Sequence, residues 1–166
     1  MLSVVLGLGG NLGDPAASFA GALAALAEEA GIPRRSRLWT SRAVGPAQPD
    51  YTNAAVLVRW PGGPERLLAR CLELEARAGR VRADDERWGP RPLDIDLLVA
   101  RDLVWRSPRL ELPHPRLADR AFALVPAAEV APDWIHPLLG RTLADLAAAA
   151  RAADPDALIS SAPFNL

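Results

Sequence analysis

The segment "RWGPRPLDIDLL", residues 87–98, places two aspartates inside an apolar run that alternates as a β-strand does. Residues two apart on a strand point to the same face, about 6.5–7 Å apart along the backbone. We therefore expect the carboxylates of Asp94 and Asp96 to lie side by side on one face of a strand.

Two adjacent carboxylates on a buried strand require a positive neighbour, because mutual repulsion and lost hydration both disfavour their charged forms. The flanking arginines could supply that charge, which would make the pair structural. A metal ion could supply it instead, which would make the pair catalytic. Oxygen ligands without histidine or cysteine at metal spacing favour Mg²⁺ over zinc.

The composition limits the classes of protein that fit. A chain of 166 residues has the size of one domain, so we expect a single domain over residues 1–166. No apolar run approaches the roughly 20 residues of a membrane span, and the N-terminus lacks a signal pattern. A net charge of -1 offers nucleic acid no general attraction. We expect a cytoplasmic protein in which Cys71, the only cysteine, is a core residue.

All 19 basic residues are arginine. The absence of lysine excludes a Walker A loop, a protein-kinase phosphate clamp and a pyridoxal Schiff base. Four arginines precede the aspartates within twelve residues: Arg80, Arg82, Arg87 and Arg91. A solvated charge run is one interpretation, because acidic residues 84–86 partly neutralise it. The other is a nucleotide polyphosphate site, because arginine binds phosphate oxygens in a bidentate manner.

The order of predicted elements is strand, helix, strand, strand, helix, strand, followed by a last helix. The predicted strands cover residues 2–8, 36–41, 51–60 and the aspartate segment, and the helices cover about 15–30, 65–78 and 142–153. This order is typical of an α+β protein, a ferredoxin-like α/β sandwich with helices packed on one face of an antiparallel sheet. The glycines of "GLGGNLG" fail the strict dinucleotide pattern at Leu12 and predict a tight turn.

Aromatic and amide side chains on the third strand suggest a slot for a flat heterocycle. Tyr51 and Asn53 are two apart and face the same way, and Trp88 and Phe122 could close the slot. An ordinary core tyrosine is the alternative.

The two histidines have different surroundings. His114, in "LPHPR", is followed by Arg116 and Arg120 and could meet phosphate, although a lone histidine is commonly structural. His136 has no such neighbours, and we expect it at the surface or in a turn.

The aspartate segment closely resembles the signature of the 6-hydroxymethyl-7,8-dihydropterin pyrophosphokinase family. The motifs "GGNLGD", "GPAQPDYTNAAV", "ELEARAGRVR", "LPHPRLADRAF" and "LVPAAEVAP" follow the family's order up to about residue 145. The resemblance implies a ferredoxin-like fold and transfer of the β,γ-diphosphate of ATP to the hydroxymethyl group of the pterin, with release of AMP.

The resemblance also implies roles for individual residues. Asp94 and Asp96 would hold two Mg²⁺ ions, and Arg80, Arg82 and Arg91 would act on the phosphates. The residues implied to bind the nucleotide are Glu75, Trp88, Arg91, Arg109, His114 and Arg120. Those implied to bind the pterin are Ser41, Val44, Tyr51, Asn53, Trp88 and Phe122.

Two other classes of protein fit parts of the sequence. The pattern D-x-D also occurs in metal-dependent nucleotidyltransferases, but there a glycine turn precedes the acidic pair by about a dozen residues, whereas Gly10 and Asp94 are far apart. A ferredoxin-like RNA-binding module would need exposed aromatics and basic charge, and neither is evident. We expect ATP and the pterin as partners, no nucleic acid or membrane, and a monomer.

Overall fold

The computed structural model describes residues 1–81 and 89–165. Two of the predicted site residues, Arg82 and Trp88, lie outside the described residues.

The centre of the fold is a sheet in which every described strand pair is antiparallel. The strand order is β5-β1-β4-β3-β8, and β2 also pairs with β4. The strands are β1 (Leu2–Gly10), β2 (Gly31–Arg35), β3 (Leu38–Ser41), β4 (Tyr51–Trp60), β5 (Asp94–Ala100) and β8 (Leu158–Ala162). A separate hairpin pairs β6 (Trp105–Arg106) with β7 (Glu111–Leu112). The predicted ferredoxin-like order is therefore confirmed, with β8 added at one edge.

Helices cover both faces of the sheet, so the prediction of a single helical face is wrong. The helices are α1 (Pro15–Ala27), α2 (Pro64–Arg77), α3 (Ala121–Val130) and α4 (Leu143–Ala153). Leu6 of β1 belongs to the core cluster formed with α1 and α2, whereas Val5 belongs to the cluster formed with α3 and α4. The unbroken apolar run of β1 reflects burial on both sides, which is typical of a central strand between two layers.

The ends of the first two helices follow from local chemistry. Asp14 caps α1, since its side chain accepts a hydrogen bond from Ala17 N at 3.1 Å, and Pro15 fits the first helical position. The helix ends at Ala27, earlier than predicted, because the amide groups of residues 29 and 30 turn back to Leu26 O. Beyond α2, Gly79 has a φ of 89°, a conformation that favours glycine.

Two predictions outside the site have clear outcomes. Cys71 is buried in the core as expected, and burial raises the pKa of its thiol to about 12. Of the two places expected for His136, the surface or a turn, the structure supports the turn: the residue is only 5% exposed, and its Nδ1 accepts a hydrogen bond from Leu138 N. The described part of the chain contains no helix with the length and apolar character needed to cross a membrane.

The C-terminal segment completes the sheet and one core cluster, and the sequence patterns missed it. Strand β8 pairs with β3, and its residues are mostly exposed. Phe164 then folds back, is 8% exposed, and meets Phe19 of α1 edge-to-face with ring centroids 6.2 Å apart. The segment after residue 157 is therefore attached to the fold by an aromatic contact as well as by strand pairing.

Phe164→Ala should lower the free energy of unfolding by about 3 kcal/mol, because it leaves a cavity beside Phe19. The measurement is equilibrium urea unfolding. Ile159→Ala, at a half-exposed position of the same segment, is the matched control and should change stability by less than about 0.5 kcal/mol. Equal effects of the two substitutions would contradict the packing role of Phe164.

Candidate active site

The acidic pair begins β5 and lies opposite two glycines of β1. Asp94 lies opposite Gly9 and Asp96 lies opposite Gly7 in the antiparallel register. A Cβ at Gly7 would meet the Leu98 side chain at 3.1 Å, so a larger residue there would disturb the packing. The predicted tight turn between strand and helix is present, but it begins later than expected, since β1 continues to Gly10 and only the residues after it leave the strand.

A buried network of charges holds the acidic pair against α2. Glu75 is 2% exposed and accepts a hydrogen bond from Ile95 N at 2.8 Å. Its second oxygen lies 2.8 Å from Arg80 Nη1, and the same nitrogen contacts Asp94 Oδ1. Arg91 Nη1 lies 3.3 Å from Asp94 Oδ2. Asp94 therefore has arginine partners on both oxygens.

The environment of Asp96 disfavours its charged form. Within the described residues its carboxylate has no hydrogen bond or ion pair, and burial together with the Asp94 charge raises its pKa to about 7. Burial lowers the pKa of Arg80, but the charges of Asp94 and Glu75 outweigh that effect, and the net shift is upward.

The donor set suits a hard divalent cation. The described residues contain no group of three or more histidine, cysteine, aspartate or glutamate side chains placed to hold a metal. Two carboxylates on one face, one of them lacking a cationic partner in hydrogen-bonding contact, fit Mg²⁺, which is commonly held by one or two carboxylates together with phosphate oxygens and water. The chemistry of the pair thus fits the metal that the sequence favours.

One cavity, of about 160 Å³, lies on the α3 side of the acidic pair. The structure brings five of the six predicted pterin residues to its walls: Ser41, Val44, Tyr51, Asn53 and Phe122. The sixth, Trp88, is outside the described residues. Gly9 forms part of the wall, and a Cβ there would lie 3.7 Å from the amide oxygen of Asn53.

Hydrogen bonds fix the polar wall of this cavity. Asn53 is 4% exposed and donates through Nδ2 to Ser41 Oγ at 2.8 Å. The Tyr51 hydroxyl donates to Gly89 O at 2.9 Å. The Arg120 guanidinium lies 5.7 Å from the ring centroid of Phe122. The cavity therefore combines aromatic faces with an oriented amide.

A second cavity, of about 470 Å³, lies on the other side of the acidic pair. The predicted phosphate and nucleotide residues that line it are Glu75, Arg80, Arg91, Arg109, His114 and Arg120, together with both aspartates. Arg82 is outside the described residues. Arg91, Asp94, Asp96 and Arg120 line both cavities, so the acidic pair stands where the two meet.

His114 is held as a neutral donor at this cavity. Burial and the nearby Arg120 lower its pKa. Its Nδ1 accepts a hydrogen bond from Arg116 N at 3.1 Å, so the ring proton of the neutral form is on Nε2. The side chain can therefore donate to an anion without carrying a full charge.

The sequence patterns missed several residues of the site. Gly7 and Gly9 line the first cavity. The only feature of the sequence that could have indicated this is their spacing of two on a strand, which places both on one face. Asn11, in the motif "GGNLGD", is 6% exposed and hydrogen-bonds to segments on both sides of the site. The roles that the sequence assigned to residues of the site stay predictions.

The sheet, its two helical layers and the acidic pair between two cavities define a ferredoxin-like α/β domain with a candidate site for two ligands. A model of the 7,8-dihydro-6-hydroxymethylpterin-pyrophosphokinase (HPPK) family matches residues 5–132. The chain belongs to this family.

Relatives similar in sequence agree with this assignment. The 2-amino-4-hydroxy-6-hydroxymethyldihydropteridine pyrophosphokinase of Synechocystis sp. is 46% identical over 144 residues, covering 86% of this chain and 73% of that protein. The protein of the same name from Methylorubrum extorquens is 44% identical over 138 residues, covering 81% of this chain and 86% of that protein.

The fold is similar to solved structures of Plasmodium falciparum HPPK-DHPS. The wild type with SDX-DHP has a TM-score of 0.68 at 14% identity, covering 92% of this chain and 44% of that chain. The structure described as wild type, without a named ligand, has a TM-score of 0.65 at 14% identity, covering 91% of this chain and 41% of that chain. This chain thus spans less than half the length of those solved chains, and at this identity the likeness supports the fold alone.

Asp96→Asn should remove a pH dependence from the stability of the metal-free protein. The pKa of Asp96 is about 7 in the fold and 3.8 as its ordinary value, so between these pH values the folded state binds more protons than the unfolded state. Stability therefore falls as pH rises from about 4 to about 7.

The measurement is the Tm in EDTA from pH 4.5 to 8. The Tm of the Asn variant should exceed that of the wild type at pH 8, and this difference in Tm should narrow toward pH 5. Asp102→Asn, at an exposed carboxylate, is the control. A gap that stays constant with pH would contradict the raised pKa.

Proposed function

We propose that the two adjoining cavities are the pterin and ATP sites of a pyrophosphokinase. As a family member, the chain is a diphosphotransferase of folate biosynthesis that acts on hydroxymethyldihydropterin with ATP as co-substrate. In the proposed reaction the β,γ-diphosphate of ATP passes to the hydroxymethyl oxygen, giving the pterin diphosphate and AMP. The observation that carries the proposal is the sharing of Asp94, Asp96, Arg91 and Arg120 by both cavities.

The pterin would lie in the smaller cavity, between the rings of Tyr51 and Phe122. An aromatic slot favours a flat heterocycle through stacking, and the buried amide of Asn53 offers both a donor and an acceptor to the ring edge. Ser41 fixes the orientation of that amide. Val44, with 65% of its surface exposed, would cover the open side.

The ATP phosphates would lie in the larger cavity. Arg80, Arg91, Arg109 and Arg120 supply guanidinium donors around it, and His114 adds a neutral one. Guanidinium groups bind phosphate oxygens in bidentate pairs, so this wall can orient a polyphosphate chain. Glu75 would act near the nucleotide by holding Arg80. Arg82 and Trp88 keep their predicted roles, in phosphate binding and in closure of the site.

Asp94 and Asp96 would hold Mg²⁺, with two ions proposed. When bound, Mg²⁺ supplies positive charge that neutralises the phosphate oxygens during transfer. The exposed fraction of Asp94, 27%, leaves its carboxylate accessible from the cavities even with its arginine partners in place.

The contribution of the chain to the chemistry is mainly positioning. The bond between the hydroxymethyl oxygen and the β-phosphorus forms while the bond from that phosphorus to the bridging oxygen of AMP breaks, and the proton of the hydroxyl group leaves to water. Such transfers depend on in-line placement and electrostatic stabilisation more than on covalent chemistry by the protein. A wall shared by both cavities places the acceptor and the phosphates next to each other.

We propose that the whole protein is a single domain and a monomer. Residues 1–166 form one pyrophosphokinase domain that works as a monomer in the cytoplasm, without nucleic acid or membrane partners. The near-neutral charge of the chain and the acidic pair at the site favour this over binding of a phosphate backbone.

Asp94→Ala and Asp96→Ala should each lower turnover by about 10³-fold or more, because each removes a proposed metal ligand. The assay incubates the protein with ATP, Mg²⁺ and 6-hydroxymethyl-7,8-dihydropterin and separates the nucleotides. AMP should appear in step with the diphosphorylated pterin in the wild type. Asp156→Ala, at an exposed carboxylate, is the control. Formation of ADP, or full activity in either site variant, would overturn the assignment.

Arg91→Ala should lower kcat by roughly 10²-fold, because its guanidinium is proposed to stabilise charge on the transferred phosphates. The Kd for the pterin alone should stay within about threefold, since the stacking residues are untouched. Turnover and pterin fluorescence titration measure the two effects. A variant with wild-type kcat would remove Arg91 from the phosphate site.

A further inference from the structure

Asn11 connects the two cavities through the segments that border them. It follows the last residue of β1 and is 6% exposed. Its Oδ1 accepts a hydrogen bond from Arg91 N at 2.9 Å, and its own backbone N donates to Arg91 O at 2.9 Å. Its Nδ2 donates to Gln48 Oε1 and to Pro49 O, both at 2.9 Å.

The orientation of this amide is determined by its partners. A side-chain amide has two N–H donors and one carbonyl oxygen, and here each of them is used. Turning the amide over would set its NH₂ against the Arg91 N–H and its oxygen against two acceptor oxygens. Only one orientation of the amide satisfies all three hydrogen bonds. The bonds to the two segments therefore form together, in that one orientation.

The two segments that Asn11 joins border different parts of the proposed active site. Gln48 and Pro49 lie in the loop that carries Val44 and leads into Tyr51, on the pterin side. Arg91 lines both cavities, and its guanidinium lies against Asp94. A second link runs in parallel, since the Tyr51 hydroxyl donates to the carbonyl of Gly89, two residues before Arg91.

We infer that Asn11 is a positioning residue that couples the pterin cavity to the phosphate cavity. Ordering of the loop at 48–49 by a bound pterin fixes the amide, and the amide fixes the backbone of Arg91 beside the phosphates. The effect is reciprocal, because a coupling free energy between two ligands acts equally on both affinities. This inference rests on the proposed function for the identity of the two ligands, but not on turnover for its test.

The test measures pterin binding by fluorescence, with and without a non-hydrolysable ATP analogue and Mg²⁺. In the wild type the analogue should tighten pterin binding by about tenfold, within the usual range of coupling between sites. In Asn11→Ala the tightening should fall to less than about twofold, while the Kd for the pterin alone changes by no more than about threefold.

Two further variants separate coupling from a structural effect. Asn11→Asp keeps an acceptor for Arg91 N but removes both donors to the loop, so it should lose the coupling as Asn11→Ala does. It also serves as the test if Asn11→Ala does not fold. Asp14→Ala removes a side-chain hydrogen bond from the same turn without touching either segment, and it should keep the wild-type coupling.

Each remaining outcome has a definite meaning. Wild-type coupling in both Asn11 variants, or no coupling in the wild type, overturns the inference. Loss of coupling in Asp14→Ala as well would reduce Asn11 to a general role in the turn and overturn it too. Failure of the wild type to form AMP and the pterin diphosphate would instead contradict the proposed function, because the coupling is a binding measurement that needs no turnover.

Discussion

The rest of the site depends on the balance of charge around the first residues of β5. Three carboxylates, those of Glu75, Asp94 and Asp96, lie close together at the edge of a core cluster, and three arginines, Arg80, Arg91 and Arg120, face them. Removing one partner of the ion pairs among Glu75, Arg80 and Asp94 costs several kcal/mol, because it leaves a partly buried charge without compensation. The position of β5 and the course of the segments around it are therefore tied to this group.

The register of the central strands converts that charge cluster into a site with two sides. Glycines on β1 stand opposite both aspartates, so the sheet has no side chain between the acidic pair and the buried Asn53 of β4. The open space beside Gly9 forms part of the smaller cavity, proposed for the pterin. Residues of α2 and of the β6–β7 hairpin border the larger cavity, proposed for the phosphates. The register of β1 with its two neighbouring strands thus sets the distance between the two proposed ligands.

The sequence predicted those features that depend on neighbours along the chain. Alternation at Asp94 and Asp96 placed both on one face because the period of a strand is a local property. The start of α1 and the end of α2 lie within one residue of their predicted positions. Contacts between distant segments were not accessible in this way. Glu75 binds the amide of Ile95, twenty residues away, and no pattern in either segment indicates that bond.

The errors concern features that local patterns do not determine. The second helical layer was missed because the expected ferredoxin-like sandwich has its helices on one face, and β8 was missed because five mostly exposed residues carry little signal. The resemblance identified most of the residues that line the cavities, but not the glycines or Asn11. The glycines matter because they lie opposite the two aspartates, and Asn11 because of its hydrogen bonds to distant segments.

The two edges of the sheet differ in their openness to another strand. Along the outer edge of β5, the amide of Ile95 is taken by Glu75 and the carbonyl of Leu98 accepts from His114 N at 2.7 Å. A foreign strand could pair there only by breaking bonds that also shape the site. Natural proteins protect sheet edges against aggregation by covering them or by placing charge there. The same residues that shape the cavities thus shield this edge, and the opposite one, β8, carries the greater risk of intermolecular β-pairing.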